Sequence, residues 1–112
     1  MHGRILIVDA AATNRVIHKV KLAKAFYEPI LAADGASCLA LARSEQPDLI
    51  LLDLALADLP GTELLALLRS DPATRAIPVI AFAPAGDPAA RLGALRHGAD
   101  AVMAKPIAEA VL

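Results

Sequence analysis

Short, unbroken apolar runs constrain this chain more than any other feature: Ile5-Leu6-Ile7-Val8, Leu49-Ile50-Leu51-Leu52, Ile77-Pro78-Val79-Ile80-Ala81-Phe82 and Ala101-Val102-Met103-Ala104, with a weaker one at Ile30-Leu31-Ala32. None alternates apolar with polar residues, so each reads as a strand covered on both faces. All are far shorter than the ~18–20 residues of a membrane span. The strands start near residues 4, 29, 48, 77 and 101, and a segment of helical periodicity fills each interval. The pattern is five βα units, and it predicts an α/β fold, a doubly wound parallel sheet with helices on both faces.

The helical segments carry their own punctuation. Thr13 to Tyr27 is expected to turn Val16, Ile17, Val20, Ala23 and Phe26 or Tyr27 inward, with Arg15, Lys19, Lys21 and Lys24 outside. Ala36 to Ser44 follows an Asp34-Gly35 turn and is expected to bury Leu39, Ala40 and Ala42. Thr62 to Ser70 repeats Leu64, Leu65, Leu67 and Leu68 before Asp71-Pro72 stops it. Asp87-Pro88 is an N-cap followed by proline at the first helical position, and His97-Gly98 closes the helix it opens.

The 112 residues amount to a single domain, long enough to bury a core without metal or disulfide staples. Eleven basic against twelve acidic side chains leave a formal charge of -1 and a pI near 6.3, which argues against nucleic-acid binding. The single Cys38 cannot form an internal bridge, and the start of the chain leads straight into a strand rather than a signal peptide. No membrane association and a cytoplasmic location are expected.

In an open parallel sheet, ligands bind beyond the carboxyl ends of the strands, where the winding reverses. The first strand ends at Asp9, the third at Asp53, the fourth at Ala83-Pro84 and the fifth at Lys105-Pro106. Alone, each acid reads as a turn or cap residue and the lysine as a solvated side chain. Together they are more specific: Asp53 stands between apolar neighbours, and a partly desolvated carboxylate needs a partner such as Lys105.

On these residues, and on Asp34-Gly35, Pro47-Asp48-Leu49, Gly98-Ala99-Asp100 and Lys105-Pro106-Ile107, the chain resembles the receiver domains of two-component response regulators over nearly its whole length. The resemblance implies a flavodoxin/CheY-like five-stranded sheet of order 2-1-3-4-5 and a cis Lys105-Pro106 bond. It implies Asp53 as phosphoacceptor from a histidine kinase or phosphotransfer protein and Lys105 as its ion-pair and phosphoryl partner. It also implies Mg²⁺ held by Asp9, Asp53 and the Ala55 backbone carbonyl. The first helix and the Asp71–Pro78 stretch further resemble receivers of the PleD type, which precede a diguanylate cyclase domain.

The family pattern is broken at several positions. Its second acid after the first strand is Ala10, so Mg²⁺ binding is expected to be weak or absent. Its hydroxyl residue after the fourth strand is Ala83, and its switch aromatic on the fifth is Val102. In the loop after Asp53 the usual Pro and Asp fall at Ala57 and Pro60. Two readings stay open: a receiver that still takes phosphate on Asp53, and a degenerate one, kept as a phosphorylation-independent docking or dimerisation module with a constitutive Asp53–Lys105 pair. A Gly-rich phosphate loop, which an unrelated nucleotide binder would need, does not follow the first strand.

Arg15, Lys19 and Lys21 read by default as a solvated face, and in a receiver as the surface that meets the kinase. His18 reads as a structural helix residue, His2 and His97 as isolated histidines without metal-ligand spacing, and Cys38 as a small buried hydrophobe. After Lys105-Pro106 only Ile107 to Leu112 remain for the last helix, so a truncated helix, a longer parent protein with a C-terminal output domain, and self-association into a homodimer are expected.

Overall fold

A computed structural model describes residues 3–105. The elements are β1 (Arg4–Val8), α1 (Ala12–Lys24), β2 (Glu28–Ala32), α2 (Gly35–Glu45), β3 (Leu49–Asp53), α3 (Gly61–Ser70), β4 (Val79–Pro84), α4 (Pro88–Arg96) and β5 (Ala101–Lys105). The strands form one parallel sheet in the order β2-β1-β3-β4-β5. His2, the Lys105–Pro106 bond and the last helix expected over Ile107–Leu112 lie outside the described residues.

The apolar runs lack polar alternation because both faces of the sheet are covered, and a period of two still sorts them. Leu6, Val8, Ile50, Leu52, Val79 and Ala81 point to one side, where they pack with Cys38, Ala42, Leu64, Leu65, Leu68 and Ala94. Ile5, Ile7, Leu51 and Phe82 point to the other and meet Leu22. Burying each large aliphatic of the first cluster contributes roughly 1.5–3 kcal/mol.

Several helix faces differ from expectation. On α1, Val16, Ile17 and Val20 are 57%, 45% and 47% exposed, and only Leu22 is buried. The inward stripe is instead Asn14, His18, Lys21 and Leu22, whose near-helical spacing carries polar groups toward the carboxyl edge of the sheet. The helix also stops at Lys24: Phe26 takes a left-handed φ of 67°, and the N–H groups of Phe26 and Tyr27 return to the carbonyls of Ala23 (3.1 Å) and Leu22 (2.9 Å), a Schellman ending. On α2 the buried residues are Gly35, Cys38 and Ala42, while Ala40 is exposed. On α3 Leu67 faces solvent.

The amino edge of the sheet is closed by Arg69 of α3. Its guanidinium donates to the carbonyls of Gly98 (2.9 Å), Arg75 (2.9 Å) and Ile77 (2.7 Å) and to the Asp100 carboxylate (2.8 Å), which also accepts the Val79 N–H (2.7 Å). Gly98 is required there: its φ is +111°, and an added Cβ would lie 2.6 Å from Arg69 Cγ. Replacing Arg69 by Met is expected to cost about 2–3 kcal/mol, read as a lower urea midpoint at unchanged slope, and Arg69→Lys should not restore it because an ammonium lacks the planar fork.

Candidate functional site

The winding reverses between β1 and β3, which are neighbours in the sheet but not in sequence, and Asp9 and Asp53 stand at their carboxyl ends. Ladder bonding continues through both positions. The Asp9 N–H donates to Ala32 (3.1 Å), and the Leu54 N–H donates to Phe82 (3.2 Å). The backbones of both acids are therefore fixed by the sheet before any side chain acts.

Their carboxylates are 3% and 6% exposed as residues, so each needs internal partners. Asp9 accepts the Ala11 N–H at 2.9 Å on Oδ1 and the Asn14 amide at 3.2 Å on Oδ2. Asp53 accepts the Ala55 N–H at 3.0 Å on Oδ1, and its Oδ2 is hydrogen-bonded to Lys105 Nζ. The same ammonium lies 3.9 Å from Asp9 Oδ2. Three ionic side chains from three strand ends, 44 and 52 residues apart in sequence, thus converge in one crevice, as expected from their positions.

A cleft of about 730 Å³ opens beside this cluster, with Asn14, His18 and Lys21 on the α1 side and Ala55, Pro84 and Lys105 opposite. His18 Nδ1 is buried and has no hydrogen-bond partner. Burial holds the imidazole below its ordinary range, and Lys21 and Lys105 add to that against the pull of Asp9, so the ring is neutral at pH 7. The basic stripe on α1 divides. Arg15 turns inward and donates to the Asp9 carbonyl at 2.7 Å, Lys21 enters the cleft wall, and Lys19 stays exposed.

The positions where the family pattern breaks are placed as follows. Ala10 is exposed at the rim, while Ala83 and Val102 are buried at 2% and 8% exposure, so neither offers a hydroxyl or a ring to the site. Asp9 and Asp53 suit a hard divalent cation as a pair of buried oxygen donors, but all four of their oxygens already carry hydrogen bonds or the ammonium. Among the described residues there is no cluster of three or more His, Cys, Asp or Glu able to hold a metal. Cys38 is fully buried, and desolvation raises its thiol to about 12, which keeps it a packing residue.

Two contributors have no trace in the sequence pattern. Asn14 orients Asp9. Asp58, in the loop that leaves Asp53, accepts the N–H groups of Gly35 (2.9 Å) and Ala36 (3.0 Å) at the start of α2, where Asp34 also caps Ser37 (2.8 Å). Leu59 lies over Gly35, where an added Cβ would come within 2.8 Å of its Cδ1. The loop carrying Asp53 into α3 is therefore latched to a neighbouring helix.

The model of the response regulator receiver domain family matches residues 5–112. The response regulator PleD of Caulobacter vibrioides is 36% identical over 112 residues, the whole of this chain, which spans a quarter of PleD's length. The polar-differentiation response regulator DivK of Brucella anthropi is 36% identical over 110 residues, covering 96% of this chain and 87% of DivK. A crystal structure of a CheY-like response regulator receiver domain protein from Methanospirillum hungatei superposes with a TM-score of 0.90 at 30% identity, covering 99% of this chain and 87% of that one.

The Asp58 latch makes a pH prediction. The Gly35 N–H first, then that of Ala36, holds the Asp58 carboxyl below the usual carboxylate range. A depressed folded pKa gives stability that is full above about pH 4 and is lost as pH falls through the folded value. Asp58→Asn should remove that part of the acid-limb slope, measured as unfolding free energy from neutral pH downward.

Proposed function

The chain belongs to the response regulator receiver domain family, and from that membership and the arrangement at the strand ends we propose that Asp53 takes a phosphoryl group from a histidine kinase or a phosphotransfer protein. The observation that carries this reading is the junction of Lys105 with Asp53 and Asp9 at the point where the winding reverses. Phosphoryl transfer asks for an aligned nucleophile and for positive charge near the transferred oxygens. An Asp53 carboxylate oxygen bonds to phosphorus while the bond from phosphorus to the donor imidazole nitrogen breaks, and the electron pair leaves with that nitrogen. The Ala55 N–H and the sheet hold the carboxylate in place. Lys105 then exchanges its carboxylate contact for a phosphoryl oxygen.

Receiver domains generally bind Mg²⁺ at the phosphorylation site. In this chain Asp9, Asp53 and the Ala55 carbonyl would hold it, supplying charge to the phosphoryl oxygens when bound. With Ala10 in place of a carboxylate, and with Lys105 already bridging toward both acids, the affinity is low. A second reading, a docking module whose Asp53–Lys105 pair is constitutive, draws on the same ammonium contact and on the apolar Ala83 and Val102. A chain resembling PleD-type receivers is proposed to act in the cytoplasm, ahead of an output domain such as a diguanylate cyclase, with homodimerisation as a further mode of signalling.

Two experiments test these statements. Beryllofluoride with Mg²⁺ should shift the Asp53, Ala55 and Lys105 resonances of the wild type, and Ala10→Asp should lower the Mg²⁺ needed by about tenfold or more. No response in wild type under conditions that modify Ala10→Asp would reject phosphorylation and leave the docking module. Charge reversal of Lys19 and Lys21 should slow phosphotransfer most at low salt, and kinetics independent of both substitution and salt would remove α1 from the docking surface.

A further inference from the structure

The loop from Asp53 into α3 carries one acid, Asp58, five positions beyond Asp53, and that acid serves a different helix. The N-cap of α3 is Pro60, which offers no side-chain hydrogen bond to the first turn. The Asp58 carboxylate instead reaches α2, where it accepts the Gly35 N–H at 2.9 Å on Oδ1 and the Ala36 N–H at 3.0 Å on Oδ2. Asp34 caps the next donor, Ser37, at 2.8 Å. Two carboxylates from separate parts of the chain thus divide the first turn of α2, and one of them is carried by the segment that leaves Asp53.

That segment is anchored at both ends. At its start the Ala55 N–H donates to Asp53 Oδ1 at 3.0 Å. At its far end Leu59 lies on Gly35, so close that an added Cβ would come within 2.8 Å of Leu59 Cδ1 and 3.3 Å of Asp58 Oδ1. α2 is the fixed partner, because Gly35, Cys38 and Ala42 are buried in the core. The loop is the movable one: Ala55, Ala57 and Asp58 are exposed, and the Asp58 carboxylate regains water on release. A hydrogen bond of this length is lost once its partners part by about half an ångström, so a small displacement of the loop is enough. The route toward β4 and β5 lacks relay groups, since Ala83 and Val102 are apolar and buried.

We propose that Asp58 is a conformational latch that transmits the state of Asp53 to the amino end of α2: a phosphoryl group on Asp53 draws the Ala55 N–H outward, the loop follows, and the Gly35 and Ala36 N–H groups lose their acceptor. Such a latch presupposes Asp53 as the phosphoacceptor, and it gives that site an outlet at the first turn of α2 rather than at the end of β4. Phosphorylation turns the Asp53 carboxylate into a neutral acyl group and places negative charge on the phosphoryl oxygens, so the strongest acceptor for the Ala55 N–H moves away from the sheet. Linkage makes the effect reciprocal: a change that opens the latch favours the phosphoryl-bearing state.

The test follows backbone amides of the isotope-labelled chain by their exchange with solvent water, free and with saturating Mg²⁺ and beryllofluoride. Occupancy of Asp53 is read from the Ala55 amide shift. On occupancy, exchange at Gly35 and Ala36 should rise about fivefold or more, while Ser37, capped by Asp34, and Val79, bonded to Asp100, should change by less than about twofold. Asp58→Asn alters an exposed side chain and leaves an amide oxygen that can replace at most one carboxylate contact. In this variant Gly35 and Ala36 should exchange fast already and respond less than about twofold, and beryllofluoride should bind about fivefold more tightly. An Ala55 shift with unchanged exchange at Gly35 and Ala36 overturns the latch and leaves the phosphoacceptor reading intact. No Ala55 shift removes that reading and the latch with it. Equal acceleration at Ser37 and Val79, an undiminished response in Asp58→Asn, or affinity there that is unchanged or weaker would each overturn the proposal.

Discussion

Two carboxylates buried side by side would repel one another and lack solvation, and the Lys105 ammonium is what lets both remain in the interior. The attraction between Lys105 and Asp53 is strengthened by the low local dielectric, but the same environment makes each isolated charge expensive. The arrangement therefore stands only if the backbone delivers all three groups together. Parallel ladder bonding does this, running through Asp9 to Ala32 and through Leu54 to Phe82, so that the charged residues begin where the apolar ladder ends. The aliphatic core has a functional role in this sense: it fixes the spacing of charges that side-chain flexibility would otherwise scatter.

Small apolar residues flank that cluster. Ala55 and Ala85 line the cleft beside it, leaving Asp9, Asp53, Lys105 and the α1 residues Asn14, His18 and Lys21 as its chemistry. A site of this kind keeps a paired carboxylate and ammonium with no hydroxyl or aromatic ring from Ala83 or Val102 beside them. Half-buried His18 adds no charge to this balance, because desolvation lowers its pKa and Lys21 and Lys105 lower it further against the pull of Asp9.

How much of this was legible in the sequence follows from the range of the interactions. The strands could be read because burial on both faces leaves local apolar runs, and Asp87-Pro88 could be read because a cap and its helix are adjacent in the chain. The inner face of α1 could not be read from hydrophobicity. Its inward positions, Asn14, His18 and Lys21, serve the charged edge of the sheet, while Val16, Ile17 and Val20 face away from it. On α2 and α3 the helical period was right and individual residues were not: Cys38 lies inward as expected but Ala40 faces out, and Leu67 projects outward because Leu64, Leu65 and Leu68 already fill the available arc. The Asp58 latch and the Arg69 hub join residues as far as 23 and 31 apart with no periodic signature, so only the folded chain displays them.

The latch and the hub also set the two edges of the sheet apart. Arg69 ties α3 to the turns before β4 and β5 at the amino edge, whereas the carboxyl edge is held by single hydrogen bonds from loops and the first turns of helices: Ala11 and Asn14 to Asp9, Ala55 to Asp53, and Gly35 and Ala36 to Asp58. Loop-borne bonds open at lower free energy than a packed core or a guanidinium network. A change of charge at Asp53 is therefore met first by the β3–α3 loop, whose Ala55 N–H bonds its carboxylate, while the Arg69 network holds the amino edge as the frame.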